Sequence, residues 1–144
     1  MAERNSEIFA DSNYFIALAN ENDSLHTRAL AVSKTIEKSA IQLHISNLVF
    51  LEVVTVLSQK RNREVANKTG QYLLSDTRIS FFHIDEQLQE ESWKLFQSIP
   101  LKNMGFVDCS TIAVMKALDV SELLTFDTTD FRKLQGTYRF SFFE

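Results

Sequence analysis

Glu7-Ile8-Phe9-Ala10-Asp11-Ser12-Asn13-Tyr14-Phe15-Ile16-Ala17-Leu18-Ala19 sets the reading of the whole chain. Glu7–Ala10 is a short, mostly apolar strand that runs into Asp11, and Ser12–Ala19 continues with helical character. The same alternation recurs downstream. Asn20-Glu21-Asn22-Asp23 is a polar loop, and Ser24 is expected to cap an amphipathic helix with Leu25, Ala29, Val32 and Ile36 on one stripe. Ile41–Ile45 reads as a second strand, and Ser46 caps a helix running to about Gln59. That helix is apolar nearly all round, so it is expected to be buried. The basic hinge Lys60-Arg61-Asn62-Arg63 leads into a helix with Val65, Thr69, Tyr72 and Leu73 inward. Ile79–Ile84 is a third strand, Asp85 caps a helix carrying Leu88, Leu95, Phe96 and Ile99, and Pro100–Gly105 holds the breakers. Asp108 opens a helix through Ile112, Met115 and Leu118. Glu122–Phe126 is a fourth strand ending at Asp127, followed by a polar turn and a last aromatic strand over Tyr138–Phe143. Strands alternating with such helices predict an α/β fold, a mostly parallel sheet of four or five strands between helical layers, expected as one domain over residues 1–144. Ligands of such sheets gather beyond the carboxyl ends of the strands.

Composition narrows the chemistry. The 144 residues include only three glycines, Gly70, Gly105 and Gly136, and one proline, Pro100, against averages of about 7% and 5%. Collagenous, linker-like and turn-rich all-β architectures are excluded. So are both glycine-based phosphate cradles, G-x-G-x-x-G and G-x-x-x-x-G-K-[ST], which three isolated glycines cannot write. The single cysteine, Cys109, excludes an internal disulfide framework and fits a reducing compartment. Met1–Glu7 holds two acids, one base and no apolar core, so no secretory leader is expected there. The longest apolar run, Leu48–Leu57, is ten residues broken by Glu52 and Thr55, short of the roughly 20 that span a bilayer. The expectation is a cytoplasmic protein without a membrane partner. A net charge of −4 speaks against generic, charge-driven nucleic-acid binding, while leaving room for a local basic rim.

Four acids invite a common explanation. Asp11 and Asp127 each follow a strand, Asp108 begins a helix, and Glu52 lies in the apolar helix behind Ser46. Asp11 and Asp108 are good helix N-caps, and Asp127 suits a turn. Glu52 resists such readings, because its helical neighbours Leu48, Val49, Thr55 and Val56 offer no cation. An unpaired carboxylate in an apolar setting is expensive unless it is neutralised, paired or placed on a metal. The topology brings all four to one edge of the sheet, where a divalent cation is the simplest counter-charge. All-oxygen ligands suit Mg2+ or Mn2+ better than zinc. His26, His44 and His83 show no metal-ligand spacing among themselves or with Cys109, and read as surface or packing residues.

The order and setting of these acids resemble a PIN domain, specifically the small VapC-type toxins of toxin–antitoxin pairs. The matching pieces are Ile8–Asn13, Ser46–Val54, Phe106-Val107-Asp108 with the helix behind it, and Leu124–Phe131. The resemblance covers essentially the whole chain and implies a three-layer α/β/α PIN-like domain that is a metal-dependent endoribonuclease. It makes Asp11 and Asp108 the principal Mg2+ (or Mn2+) ligands, with Glu52 and Asp127 completing the catalytic pocket. Asn13 and Thr125 match positions where small polar side chains orient the acids, and Asp130 adds a fifth acid beside them. It further implies products with a 5′-phosphate and a 3′-hydroxyl, a homodimer, and a small antitoxin protein as partner. Ser12 stands where Thr is common, and Cys109 where a small Ala is common.

Hydrolysis of an RNA phosphodiester would use Glu52 or Asp127 to orient or deprotonate the attacking water. Lys60, Arg61, Arg63, Arg132, Lys133 and Arg139 are candidates for a basic rim along the RNA backbone. The helices carrying Phe15, Leu18 and Val65–Leu74 offer apolar surface for an interface. A haloacid-dehalogenase-type phosphatase would need an acid at position 13, which is Asn, and a receiver domain would need an acidic neighbour beside Asp11, which is absent. The remaining alternatives are a PIN nuclease of RNA processing outside a toxin–antitoxin pair, and a nuclease-fold binding module without catalysis.

Overall fold

The computed structural model describes residues 7–144; residues 1–6, on which most of the leader reading rests, lie outside that range. Five strands and seven helices follow in the order β1 (Glu7–Ala10), α1 (Ser12–Ala19), α2 (His26–Lys38), β2 (Gln42–Ser46), α3 (Asn47–Lys60), α4 (Arg63–Ser75), β3 (Ile79–Phe82), α5 (Glu86–Ser98), α6 (Phe106–Leu118), β4 (Glu122–Leu124), α7 (Thr129–Tyr138) and β5 (Ser141–Phe142). The strands lie side by side as β3-β2-β1-β4-β5, and every neighbouring pair is parallel.

Central β1 explains why its sequence carries no polar alternation. Phe9 pairs with His44 of β2 on one side and Leu123 of β4 on the other. Ile8, Phe9 and Ala10 are completely buried, as a strand covered on both faces requires. Helix α1 packs on α2 and α3, α3 on α4, and α5 on α6. The carboxyl ends of β1 and β4 point the chain into Asp11 and into Thr125-Phe126-Asp127.

Scarce glycine leaves a mark on the helix ends. No glycine has a positive φ, whereas Ala40, Asp119 and Arg139 do, at 51°, 55° and 56°. After α2, Ile41 N–H donates to Ile36 C=O at 3.1 Å and Ala40 N–H to Glu37 C=O at 3.3 Å. This is the Schellman arrangement, closed by burial of both Ile36 and Ile41, with alanine in the left-handed position that glycine usually fills.

Several expectations are corrected. The segment expected as a polar turn after Asp127 forms α7, because Phe131 and Leu134, three apart, bury a stripe against the core. The last strand shrinks accordingly to Ser141–Phe142. Ser24 does not cap α2; Leu25 is the cap residue and Asp23 Oδ1 accepts from its N–H. Helix α3 is buried only along Val49, Val53 and Leu57, while Leu51 is 60% exposed. Strands three and four end earlier, at Phe82 and Leu124. Phe15 is core, not interface surface. The caps Ser46 and Asp85 are as expected, accepting from Val49 N–H and Leu88 N–H.

Candidate active site

Asp11 occupies the junction of β1 and α1. It is the extended N-cap of α1, its Oδ1 accepting from Ser12 N–H at 2.8 Å, and its own N–H donates to Leu124 C=O at 2.9 Å. The carboxylate is therefore held at the seam between the two central strands. Thr125, just past β4, donates its hydroxyl to Asp11 Oδ2 at 3.0 Å. The direction of that hydroxyl is fixed from behind. Asn13 Nδ2 donates to the same oxygen at 2.9 Å and Asp127 N–H at 3.2 Å, so its single proton can only point at Asp11. Asn13 Oδ1 accepts from Phe126 N–H at 3.0 Å, clasping the Thr125–Asp127 turn to α1.

Glu52 comes from the second turn of α3 and is met by Ser12, whose hydroxyl donates to Glu52 Oε1. The neighbour that the sequence pattern withheld from Glu52 is thus a hydroxyl from α1. Asp108 is not an N-cap but the third residue of α6, with Oδ2 accepting from Gly105 N–H at 3.0 Å. Asp11, Glu52, Asp108 and Asp127 all line one cavity of about 540 Å3, together with Ser12, Asn13, Gly105, Phe106 and Lys60.

The electrostatics of this cavity are strained by like charge. Burial first, and then the Asp108 carboxylate, push Asp11 up from 3.8 to about 7. Asp108 is also raised, mainly by burial and further by Glu52, Asp127 and Asp130, against the Gly105 N–H that favours its charged form. Such a pocket calls for a positive partner. Among the described residues no three His, Cys, Asp or Glu groups converge tightly enough to ligate an ion by themselves. An octahedral, oxygen-seeking cation needs only one or two carboxylates and keeps several waters. The donor chemistry and the raised Asp11 and Asp108 therefore fit a hard divalent ion.

Asp130 stands apart, paired with Lys133 at 3.4 Å, and contributes to the cavity only through its field at Asp108. The basic candidates scatter. Lys60 lines the cavity. Arg61 turns to Glu21 at 3.6 Å and Arg63 begins α4. Arg132 lies over the Phe142 ring at 5.3 Å, and Arg139 lines a different cavity with Lys116 and Tyr138. His26 bonds Ala17 C=O, His44 pairs with Glu7, and His83 packs by Phe81, so none joins the site. Cys109 is buried and free, its thiol pushed up by burial and by Asp108, hence protonated and inert.

Three residues carry contacts at or beside the site for which the sequence reading gave them no role. Ser12 had a signal, a hydroxyl one place after the first acid. Arg28, 4.7 Å over the Phe126 ring, had none, since a lone arginine on an exposed helix face announces nothing. Phe106 at the cavity wall had none either.

The chain is similar in sequence and fold to known proteins. A 23S rRNA-specific endonuclease of Mycobacterium tuberculosis, VapC20, is 27% identical over 120 residues, covering 83% of this chain and 88% of that protein. The crystal structure of Mycobacterium tuberculosis VapC20, described as a Sarcin-Ricin loop cleaving toxin, superposes with a TM-score of 0.77 at 25% identity, covering 88% and 94% of the two chains. VapBC2 from Rickettsia felis, bound to a DNA fragment from its promoter, shares the fold at a TM-score of 0.66 and 14% identity, over 96% and 99%. No helix among the described residues is long and apolar enough to cross a membrane. The model of the PIN domain family matches residues 8–136, which takes in the strand-end acids, the Glu52 helix and the Thr125–Asp127 turn, and the chain belongs to that family.

Proposed function

We propose that this protein is a divalent-metal-dependent endoribonuclease and the toxin of a toxin–antitoxin pair, with Asp11, Glu52, Asp108 and Asp127 as its catalytic, metal-binding acids. The observation that carries the reading is the meeting of these four carboxylates, from four separate segments, in one cavity beyond the carboxyl ends of β1 and β4. When bound, Mg2+ or Mn2+ neutralises that charge and polarises the scissile phosphodiester.

The chain's own groups divide the remaining work. Thr125 and Asn13 fix the orientation of Asp11, and Ser12 holds Glu52 toward the cavity. Exposed Asp127 faces incoming solvent and is the better placed of the two candidate bases to take a proton from water; Glu52 already accepts from Ser12. Lys60, beside the acids, holds a backbone phosphate of the RNA strand. Cleavage leaves a 5′-phosphate and a 3′-hydroxyl. The relatives' names extend the proposal to ribosomal RNA as the first substrate to test and to an antitoxin as partner; the family resemblance adds that a small antitoxin covers the acidic groove and that the chain pairs as a homodimer.

The test is RNA-end sequencing after induction of the protein beside an Asp11→Asn control, together with cleavage by purified protein in Mg2+, Mn2+ and EDTA. Discrete new 5′-phosphate ends that need both the cation and Asp11 are expected. Equal ends from both proteins, or cleavage unaffected by EDTA, would refute the mechanism.

A further inference from the structure

Beside the carboxylate cavity lies an aromatic surface that the mechanism does not use. Phe106, the first residue of α6, is part of the cavity wall. Its ring centroid is 6.2 Å from that of Phe96 on α5, and Phe96 is stacked on Trp93 at 5.7 Å with an interplanar angle of 17°. Three rings thus run in a row from the acids outward along α5. The row opens to solvent as it leaves the cavity. Trp93 is 49% exposed and Phe96 40%, although among the described residues the core takes in thirty other apolar side chains. Lys102, in the loop between α5 and α6, borders the same hollow as Phe96.

We propose that Phe106, Phe96 and Trp93 form a stacking platform that holds unpaired bases of the RNA substrate beside the carboxylate cavity. The proposal rests on the reading of the site as an RNA nuclease. Its physical reason is the charge balance. At a net charge of −4 the chain gains little from counterion release on binding a polyanion, and the cavity itself is lined with carboxylates. Affinity must then come from contacts that do not depend on cationic surface. Base–aromatic stacking is such a contact; it is tolerant of sequence and requires bases free of their partners. A duplex keeps its bases stacked inside and offers this row nothing. Lys102 and Lys60, at the row and in the cavity, then mark where the backbone of the same strand passes.

Trp93 is the chain's one tryptophan, so its fluorescence reports directly on the platform. The full-length Asp11→Asn protein is titrated in Mg2+ with a short oligoribonucleotide of mixed sequence and with the blunt duplex of that strand. Saturable quenching of Trp93 by the single strand and none by the duplex is expected. Trp93→Ala and Phe96→Ala, each on the Asp11→Asn background, should weaken single-strand binding about 10-fold, with Trp93→Phe retaining most of it, and binding should fall only shallowly with salt. Equal binding of the two RNAs, or unchanged single-strand affinity in both alanine variants, overturns the platform. So does a Trp93→Ala protein that loses a dimer by sedimentation while keeping its RNA affinity, which would assign the patch to a second copy of the chain. Wild-type cleavage in Mg2+ separates the two readings. If wild type cuts RNA and Trp93→Ala cuts single-stranded and duplex RNA with unchanged kcat/KM, the platform fails and the nuclease stands. If wild type neither binds nor cuts RNA in Mg2+ or Mn2+, both fail.

Discussion

Replacing Asp11 by Asn should make the cation-free protein more stable, in proportion to pH. Asp11 is 4% exposed, and in the fold its carboxyl is raised from 3.8 to about 7 by burial and by Asp108. Because the folded value lies above the unfolded one, the folded state holds the proton more tightly. Its stabilising contribution is complete below about pH 4 and is lost as pH rises toward 7. The rise from 3.8 to about 7 amounts to about 4 kcal/mol at pH 8. Asn has no charge to desolvate and escapes that loss. It keeps an oxygen for Ser12 N–H but gives up the carboxylate that receives the Thr125 hydroxyl, which costs about 1 kcal/mol. The net expectation in EDTA is a loss of up to about 1 kcal/mol at pH 4 and a gain of about 3 kcal/mol for Asp11→Asn at pH 8, the latter on the order of 5–10 °C in Tm. Thermal melts of both proteins from pH 4 to 8 measure it. Mg2+ or Mn2+ should then raise the wild type and leave the variant where it was. A Tm difference that is flat across pH, or a less stable variant at pH 8 in EDTA, would refute the argument that burial, and then Asp108, hold the Asp11 proton in this cavity.

Four further outcomes are expected. Thr125→Val strands the Asn13 and Asp127 donors and should cost about 2–3 kcal/mol in denaturant melts, with activity falling as Asp11 loses its donor; Thr125→Ser should restore most of both. Ser46→Ala removes the cap of α3 and should cost about 1 kcal/mol by the same measurement. Ala40→Gly relieves a left-handed alanine and should gain up to about 1 kcal/mol, with cleavage unchanged. Lys60→Ala should leave stability within about 0.5 kcal/mol and flatten the salt dependence of RNA binding by about one phosphate contact, read from Kd against salt.

Much of this arrangement was legible from residue order, and the exceptions have physical causes. Apolar runs leading to acids located β1 and β4, because central strands covered on both faces are mostly apolar. Glu52 stood out through the lack of any partner one turn away. What the linear pattern could not hold was contact across elements: Ser12 reaches Glu52 forty positions away, and Asn13 reaches Thr125 across 112. Helix α7 was hidden for a different reason. Its buried stripe is only Phe131 and Leu134, and Thr129, Asp130 and Gly136 around it read equally well as turn residues. The surplus of Leu51 on α3 shows the converse limit, since an apolar position reveals nothing about whether a neighbouring element covers it.

The strand order has a consequence for how the protein comes into being. β1 is made first, yet one edge waits for β2 and the other for β4, at residues 122–124. The turn that aims Thr125 at Asp11 follows directly after β4. During synthesis, with the amino-terminal end emerging first, Asp11 and Glu52 are released early but cannot be set into the cavity until Thr125, 114 positions after Asp11, has followed. A ribosome therefore carries this nuclease unarmed until β4 and the turn behind it have emerged, long after the first acids of the site.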